Sequence, residues 1–465
     1  MDVSLTATVG SSGWSKRVDL LKSSRTFNLL AIVVGGALFV WPALWNGYPL
    51  LYSDTHVFIT QPTPGYFNWD KPFIYGPWML PFHAWQSLWG VVLVQGILLS
   101  HLVWLTQQTV GTVNPVRHLL ICLALSVLTG ASWFVSLLMP DIFSGMVVLS
   151  IFILGFARQL SRGLLVWVSL LGALAIAVHL SHLVIAAACL LVVLAFKWRR
   201  IHYAVLPLVI ALTALVGTTM YAFQKVAVSP FGSVFMVARM SADGNVKSIL
   251  EKYCPEKSWH LCAWTDRLAK DSDSFMWDAK GPVWSHPGGP IGLAPEASEI
   301  VALTVRHRPF QLLWSAIQNT VTQLSMVKLG DTIHSDWLDL TVLKSVEKFF
   351  PAAELERYKN AHQVQGTMLE RVSFISAVGT YAVLLGFLLS IYFFLRGLRT
   401  RDTLALGLIV MIWLGVLANA FATGALSKPH YRYQTRIAWL LVLPPFILVS
   451  RNKKSDPDSQ DRSHR

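Results

Sequence analysis

The sequence predicts an all-α membrane protein, a polytopic bundle of about ten transmembrane helices with one inserted extracytoplasmic segment. Of its 465 residues, 54% are hydrophobic and only 14% are charged, whereas a soluble domain carries about a quarter charged residues. The apolar residues form runs of roughly 20, the length that spans the hydrocarbon core of a bilayer. The basic clusters lie between those runs, which is the pattern of a multi-pass topology.

Ten candidate spans are predicted along the chain. Their approximate ranges are 27–45, 84–104, 118–138, 140–157, 163–179, 180–196, 203–223, 372–395, 403–424 and 434–450. The first run is too long for the apolar part of a signal peptide, so we predict a retained helix. These spans define a seven-helix transmembrane core at 27–223 and three C-terminal helices at 372–450. A polar segment at 1–26 precedes them, and the composition of the tail at 451–465 predicts disorder.

Basic residues give the predicted orientation. Clusters at 158–162, 197–200, 396–401 and from 451 onward all fall on one side, which marks that side as cytoplasmic. Both termini are then cytoplasmic, and the membrane is predicted to be a bacterial inner membrane. A loop at 46–83, the 224–371 segment and a loop at 427–436 lie outside. Topology thus explains the net charge of +13, and no nucleic acid is predicted as a partner.

The inserted 224–371 segment contains an amphipathic stretch at 309–328. Apolar side chains recur there with a helical period, while Gln311, Gln318, Asn319 and Gln323 fill the other face. This pattern is typical of a helix that lies on the membrane surface, so membrane lipid is a predicted partner.

Two of the four cysteines, Cys254 and Cys262, lie eight residues apart in the polar inserted segment. We predict a disulfide between them because the outside of a bacterial inner membrane is oxidising. Two free thiols are the alternative, and so is a metal pair helped by His260, although a structural zinc site needs about four ligands. Cys122 and Cys189 lie inside apolar runs, which predicts that they fill the core.

Three features together resemble the GT-C class of integral-membrane glycosyltransferases. Asp54 follows the first span, the patch at 70–77 (DKPFIYGP) leads into the second, and the loop at 428–436 (KPHYRYQTR) opens into the last. The resemblance covers 27–160 well, the last loop in part and 224–371 hardly at all. It implies a GT-C-like fold and transfer of a sugar, with inversion, from a polyprenyl-phosphate carrier to an extracytoplasmic glycolipid, cell-envelope glycan or protein. Because the first loop carries no paired acids, no metal and no other cofactor is predicted.

The implied reaction needs a carboxylate that deprotonates the acceptor hydroxyl. Asp54 is the first candidate because it lies just outside the first helix, and Asp70 is the second. Each acid also has a structural interpretation. Ser53, Asp54 and Thr55 form a good helix-capping sequence, and Asp70 suits a salt bridge with a neighbouring charge.

The reaction also needs cations that stabilise the leaving phosphate. Lys71, Lys428, Arg432 and Arg436 lie outside, where the positive-inside rule predicts few bases. A guanidinium binds phosphate oxygens in a bidentate fork, and Arg432 and Arg436 share one helix face. Snorkelling of these side chains to lipid headgroups is the alternative. The remaining predicted substrate-binding residues are Tyr75, Asp141, His430 and Tyr433.

Three of the outside residues have purely structural interpretations. Asp141 follows Pro140 at the start of a span, where an acid is favoured by the helix dipole. His179 and His182 share a helical face, but no metal signature surrounds them, so we interpret them as hydrogen-bonded interface residues.

Two other classes of protein remain open at this point. A lipid-linked saccharide transporter or scramblase would place polar residues at mid-bilayer between broken helices, and the predicted spans carry almost no acid. A noncatalytic membrane scaffold would present the 224–371 segment to a partner, and it would leave the outside cations without a substrate to bind.

Overall fold

A computed structural model describes residues 25–449, with the exception of the side chains at 370 and 371. Of the described residues, 73% are helical and none belongs to a β-strand, which confirms the all-α prediction. The predicted cytoplasmic segment at 1–26 lies outside the described residues except for its last two positions. The predicted disordered tail at 451–465 lies wholly outside them.

Between Arg25 and Phe223, the described part of the chain contains twelve α-helices. They are α1 (Arg25–Leu38), α2 (Trp41–Asn46), α3 (Thr55–Thr60), α4 (Tyr75–His83), α5 (Trp89–Val110), α6 (Pro115–Leu128), α7 (Ala131–Ser136), α8 (Phe143–Phe156), α9 (Arg162–Ala177), α10 (Ser181–Lys197), α11 (Ile201–Ala204) and α12 (Leu206–Phe223). Short 3-10 turns at Pro140–Ile142 and Trp198–Arg200 connect neighbouring helices.

The inserted segment is helical as well. It contains α13 (Gly232–Ala242), α14 (Lys247–Tyr253), a 3-10 helix at His260–Arg267, α15 (Ser272–Trp277), α16 (Gly289–His307), α17 (Pro309–Ser325), α18 (Val342–Phe349) and α19 (Ala352–Lys359). The C-terminal part contains α20 (Leu369–Thr400), α21 (Thr403–Ala420), a π-helix at Phe421–Ala425, α22 (Tyr431–Ala438), a 3-10 turn at Trp439–Val442 and α23 (Leu443–Val449).

Five helices in the described part of the chain are long and apolar enough to cross a membrane. They are Trp89–Val110, Ser181–Ala204, Leu206–Phe223, Val372–Thr400 and Thr403–Ala425. Four predicted spans correspond to shorter apolar helices at Arg25–Leu38, Pro115–Leu128, Pro140–Phe156 and Arg162–Ala177. The last predicted span, 434–450, falls on α22, a 3-10 turn and α23.

Side-chain caps set several helix starts at the predicted cytoplasmic ends. Asn114 accepts a hydrogen bond from the backbone N–H of Arg117 at 2.9 Å, directly before Pro115 opens α6. Ser161 caps α9, and Asp402 caps α21 in the same way. A cap oxygen satisfies one of the N–H groups that a helix start leaves without an internal partner. These caps fix where the short loops between apolar helices end.

The three segments predicted to lie outside the membrane contact one another in the structure. Glu354 of α19 is buried, and one carboxylate oxygen accepts hydrogen bonds from the Tyr48 hydroxyl at 3.0 Å and the Leu88 N–H at 2.9 Å. Gln363 bonds both the N–H and the carbonyl of Leu51. The inserted segment is therefore docked on the loop that carries Asp54.

The inserted segment has a hydrophobic cluster of its own, built around residues of α13, α15 and α16. Cys254 and Cys262 are disulfide-bonded beside it, with Cα atoms 5.6 Å apart, which confirms the predicted pairing. Cys122 and Cys189 are free and buried, as predicted.

The amphipathic stretch forms α17, whose polar side packs against the rest of the protein while much of its apolar side is exposed. Thr320 and Gln323 are buried. Six large apolar side chains are exposed, namely Phe310, Leu313, Trp314, Ile317, Val321 and Leu324. A stripe of this kind suits a lipid surface.

Candidate functional site

Lys71 lies between the two predicted catalytic acids. Its Nζ is 3.3 Å from Asp54 Oδ2 and 2.5 Å from Asp70 Oδ2. Asp54 occupies the cap position of α3 but makes no side-chain capping bond there, so its carboxylate is not used to start the helix. The Asp54 side chain is 27% exposed and that of Asp70 only 4%, which leaves Asp54 as the acid that a ligand can reach.

The surroundings shift the pKa values of the Asp54 and Asp70 carboxyl groups in opposite directions. Burial disfavours the charged form of Asp54, but the positive charges of Lys71 and Arg432 outweigh burial, and its pKa lies below the ordinary value. Burial raises the pKa of Asp70 above the ordinary value, although Lys71 counteracts part of that effect. Asp54 is therefore the carboxylate that stays ionised and free of a proton, although its lowered pKa makes it a weaker base than an ordinary carboxylate.

Arg432, near the start of α22, is 94% buried and incompletely paired. Its Nε is 3.5 Å from Asp141 Oδ1, and its guanidinium lies 4.4 Å from the ring centre of Tyr52. Among the described residues, neither its Nε nor its Nη1 has a hydrogen-bond partner. Buried polar groups are hydrogen-bonded in the great majority of proteins, so the unpartnered Nη1–H and the Nε–H, which has only its long contact with Asp141, point to a ligand.

Arg436, one turn further along α22, is completely buried and well satisfied. It lies 3.3 Å from Asp141 Oδ1, and it donates to Ser181 Oγ at 2.8 Å and to Asn419 Oδ1 at 3.0 Å. The four-residue spacing does put both arginines on one face, as predicted. Arg436 and Asp141 are inaccessible, however, so in this structure they position Arg432 and do not contact a ligand.

Lys428 and His430 pair with acids of the inserted segment. Lys428 Nζ is 2.6 Å from Asp271 Oδ1 and 2.8 Å from Asp273 Oδ2. His430 Nε2 is 3.1 Å from the same oxygen of Asp273. Lys428 and His430, which were predicted to bind the substrate phosphate, are thus paired with acids of the protein itself. Their contacts hold the inserted segment against the last loop.

The two predicted tyrosines differ in accessibility. Tyr75 is completely buried, and its hydroxyl donates to Gln95 Oε1 at 2.7 Å, so its role in this structure is packing. Tyr433 is partly exposed and lies between the two arginines. The centre of its ring is 4.8 Å from the guanidinium carbon of Arg432 and 5.1 Å from that of Arg436. It therefore holds both guanidinium groups in place.

Three acids of the inserted segment at this site were missed by sequence reasoning. Asp271 and Asp273 pair with the last loop, and Asp331 Oδ2 accepts the backbone N–H of Arg432 at 2.8 Å. Burial raises the pKa of Asp331, and the hydrogen bond from Arg432 offsets part of that rise. Asp271 caps α15 and Asp273 lies in its first turn, a typical helix-start sequence that gave no sign of contacts more than 150 positions away.

An apolar groove lies next to the arginines, between α10, α17 and α21. Its volume is about 470 Å³, and its walls include Val184, Ala188, Ile317, Leu417 and Ala418. Val184 is one helical turn from Ser181, and Ala418 directly precedes Asn419. Two partners of Arg436, Ser181 and Asn419, are therefore close along their helices to residues that line this groove.

Comparison of the chain with protein-family models, with curated proteins and with solved structures gave no match. The candidate site is thus defined by its own geometry.

Proposed function

We propose that this protein is a membrane glycosyltransferase with a GT-C-like fold that uses a polyprenyl-phosphate sugar. The observation that carries the proposal is Arg432, whose buried N–H groups lack partners while Asp54 lies close enough for its pKa to be lowered by that guanidinium. A cation with free donors beside an ionised carboxylate suits a reaction in which a phosphate leaves and a hydroxyl loses its proton.

The proposed reaction proceeds by direct displacement. The Asp54 carboxylate takes the proton of the acceptor hydroxyl, and the acceptor oxygen attacks the anomeric carbon from the face opposite the phosphate. The bond from that carbon to the phosphate oxygen breaks, and the polyprenyl phosphate leaves with the electron pair. Arg432 and Lys71 stabilise its charge, and the configuration of the sugar inverts. No metal takes part in this scheme.

The apolar groove supports the lipid part of the proposal. The exposed apolar stripe of α17 forms one of its walls, and Val184 of another wall is one helical turn from Ser181, a partner of Arg436. A prenyl chain in the groove would therefore bring its phosphate toward Arg432. We further propose the ten-span topology in a bacterial inner membrane, with both termini cytoplasmic and α17 lying at the outer surface. The site would then face the outside, where the acceptor is a glycolipid, a cell-envelope glycan or a protein.

The test is transfer by the purified protein in lipid nanodiscs. The donors are decaprenyl-phosphate sugars, and the acceptors are an extracted glycolipid and a cell-envelope glycan fraction. Release of decaprenyl phosphate that depends on both donor and acceptor supports the proposal. A protein that binds decaprenyl phosphate but releases none from any sugar-loaded donor, with every acceptor, contradicts it.

A further inference from the structure

The turn between α9 and α10 brings a histidine to the site that the proposed mechanism has not used. His179 is partly exposed, and the next residue, Leu180, lines the same small cavity as Asp70 and Lys71. Burial, Arg436, His182, Arg432 and Lys71 together hold the pKa of His179 well below its usual range. The turn that carries His179 therefore lies beside the cavity that Lys71 lines, and the ring is neutral.

A chain of hydrogen bonds from Arg436 fixes which nitrogen of His179 carries the proton. Arg436 Nη2 can only donate, so Ser181 Oγ accepts from it at 2.8 Å. The Ser181 hydroxyl proton is then directed at His179 Nδ1, 2.8 Å away. The backbone N–H of Ser181 also donates to that nitrogen, at 3.3 Å. His179 Nδ1 is therefore an acceptor, and the proton of the neutral ring lies on Nε2.

The neighbouring histidine has the opposite tautomer. His182 Nδ1 lies 2.6 Å from the carbonyl oxygen of Ala175, which can only accept, so the proton is on Nδ1. Its ring centre is 5.2 Å from that of His179. His182 thus packs against His179 without adding a charge, and His179 Nε2–H remains a donor with no partner among the described residues.

We propose that His179 donates its Nε2–H to an oxygen of the lipid phosphate held by Arg432 and Lys71. This inference rests on the proposed function for the identity of the ligand. A neutral N–H donor orients the phosphate, and it adds no further positive charge next to Lys71 and the two arginines. Arg436 then acts on the ligand at a distance, through Ser181 and the His179 ring.

The first test is spectroscopic and needs no substrate. The full chain is labelled with ¹⁵N-histidine in nanodiscs, and the His179 signals are assigned by their loss in His179→Gln. We expect an unprotonated Nδ1 and a protonated Nε2 at neutral pH, and we expect Ser181→Ala to weaken this preference. A proton on Nδ1 of the wild-type ring, or a doubly protonated ring, overturns the proposal.

The second test measures binding of farnesyl phosphate, which carries neither sugar nor acceptor. His179→Phe keeps an aromatic ring and removes the donor, so affinity should fall about 10- to 100-fold, the loss of one hydrogen bond to a charged group. His179→Gln retains an N–H donor and should stay close to wild type. His101→Phe is the matched control, since His101 contacts Trp167 on another part of the bundle.

Each outcome of the binding test decides the question. Equal affinity in His179→Phe and the wild type overturns the donor role, and so does an equal loss in the Phe and Gln variants, which indicates packing alone. Because no sugar is used, a failure of glycosyl transfer leaves this result interpretable. Inorganic phosphate in a parallel titration shows whether the lipid chain is required.

Discussion

Lys71 Nζ lies 3.3 Å from Asp54 Oδ2 at the mouth of the site, and the partly exposed Asp54 carboxylate stays ionised because of it. We predict that Asp54→Asn lowers transfer by about 10²- to 10⁴-fold, the usual effect of losing a general base. The measurement is single-turnover release of decaprenyl phosphate. Asp339→Asn, at an exposed acid of the inserted segment, is the control. Wild-type turnover by Asp54→Asn would mean that Asp54 is not the general base, and Asp70 would become the candidate.

Arg432 is predicted to bind the donor phosphate through its unpaired N–H groups. Arg432→Lys keeps a positive charge but loses the planar fork, so donor-lipid affinity should fall about tenfold or more, as for one lost hydrogen bond to a charged group. Affinity is measured by titration of farnesyl phosphate. The exposed Arg399 lies near the end of α20, and Arg399→Lys should bind normally. Unchanged affinity in Arg432→Lys rejects the phosphate role.

The apolar groove is predicted to hold the prenyl chain. Ala188→Trp fills part of the groove, and the loss of contact with about two methylene groups should weaken decaprenyl phosphate binding by roughly tenfold. Ala377→Trp is a matched control, because Ala377 lines a different groove beside α20. If both variants bind like the wild type, the prenyl chain lies elsewhere.

The contact of Asp273 with Lys428 and His430 should depend on pH. Burial opposes ionisation of Asp273, but hydrogen bonds from His430 and Lys428 lower its pKa from 3.8 to about 2. A lowered folded-state pKa stabilises the contact above pH 3.8, and this stabilisation is lost as pH falls from about 4 toward 2.

Hydrogen exchange of α15 measures this loss. Protection of α15 should decline over that pH window in the wild type, and the decline should be smaller in Asp273→Asn. High salt should also weaken the contact at neutral pH, because Asp273 is partly exposed. The same pH profile in both proteins would mean that other carboxyl groups control the docking of α15.

The disulfide between Cys254 and Cys262 tests the orientation of the inserted segment. We predict that neither cysteine is alkylated in intact protein without prior reduction, as mapped by mass spectrometry. Reduction should lower the stability of the segment by about 2 to 3 kcal/mol in the chain-entropy model. Full labelling of both cysteines in protein isolated without reductant would place residues 224–371 in the reducing compartment and invert the proposed topology.

The side of the membrane predicted for each loop was the most useful information in the sequence for locating the site. The positive-inside rule grouped the loops at 46–83 and 427–436 with the inserted segment, and the structure brings all three together. The spacing of Arg432 and Arg436 also predicted their shared face. What the sequence does not contain is the partner of each charge. Lys428 meets Asp273 from 155 positions away, in a segment without a recognisable pattern.

Arg432 and Arg436 differ in how completely they are hydrogen-bonded, and this difference depends on tertiary structure alone. Ser181 and Asn419 complete the hydrogen bonds of Arg436, while Arg432 has no equivalent neighbours among the described residues. The burial of Tyr75 could not be predicted from the sequence either. In a loop rich in aromatic residues, the sequence does not indicate whether one of them faces a ligand or the core. The burial of Tyr75 follows from packing against Gln95 of α5.

The ion pair of Asp141 with Arg436 joins positions 295 residues apart, and this has a consequence for biosynthesis. During translation, Asp141 enters the membrane long before either arginine of α22 has been made. A buried carboxylate without its cation is costly, by several kcal/mol, so before α22 is made we expect the Asp141 carboxyl group to stay hydrated or to bind a proton. The site can therefore form only after α22 has been made, and a product of interrupted synthesis that ends before α22 lacks both of the cations that pair with Asp141.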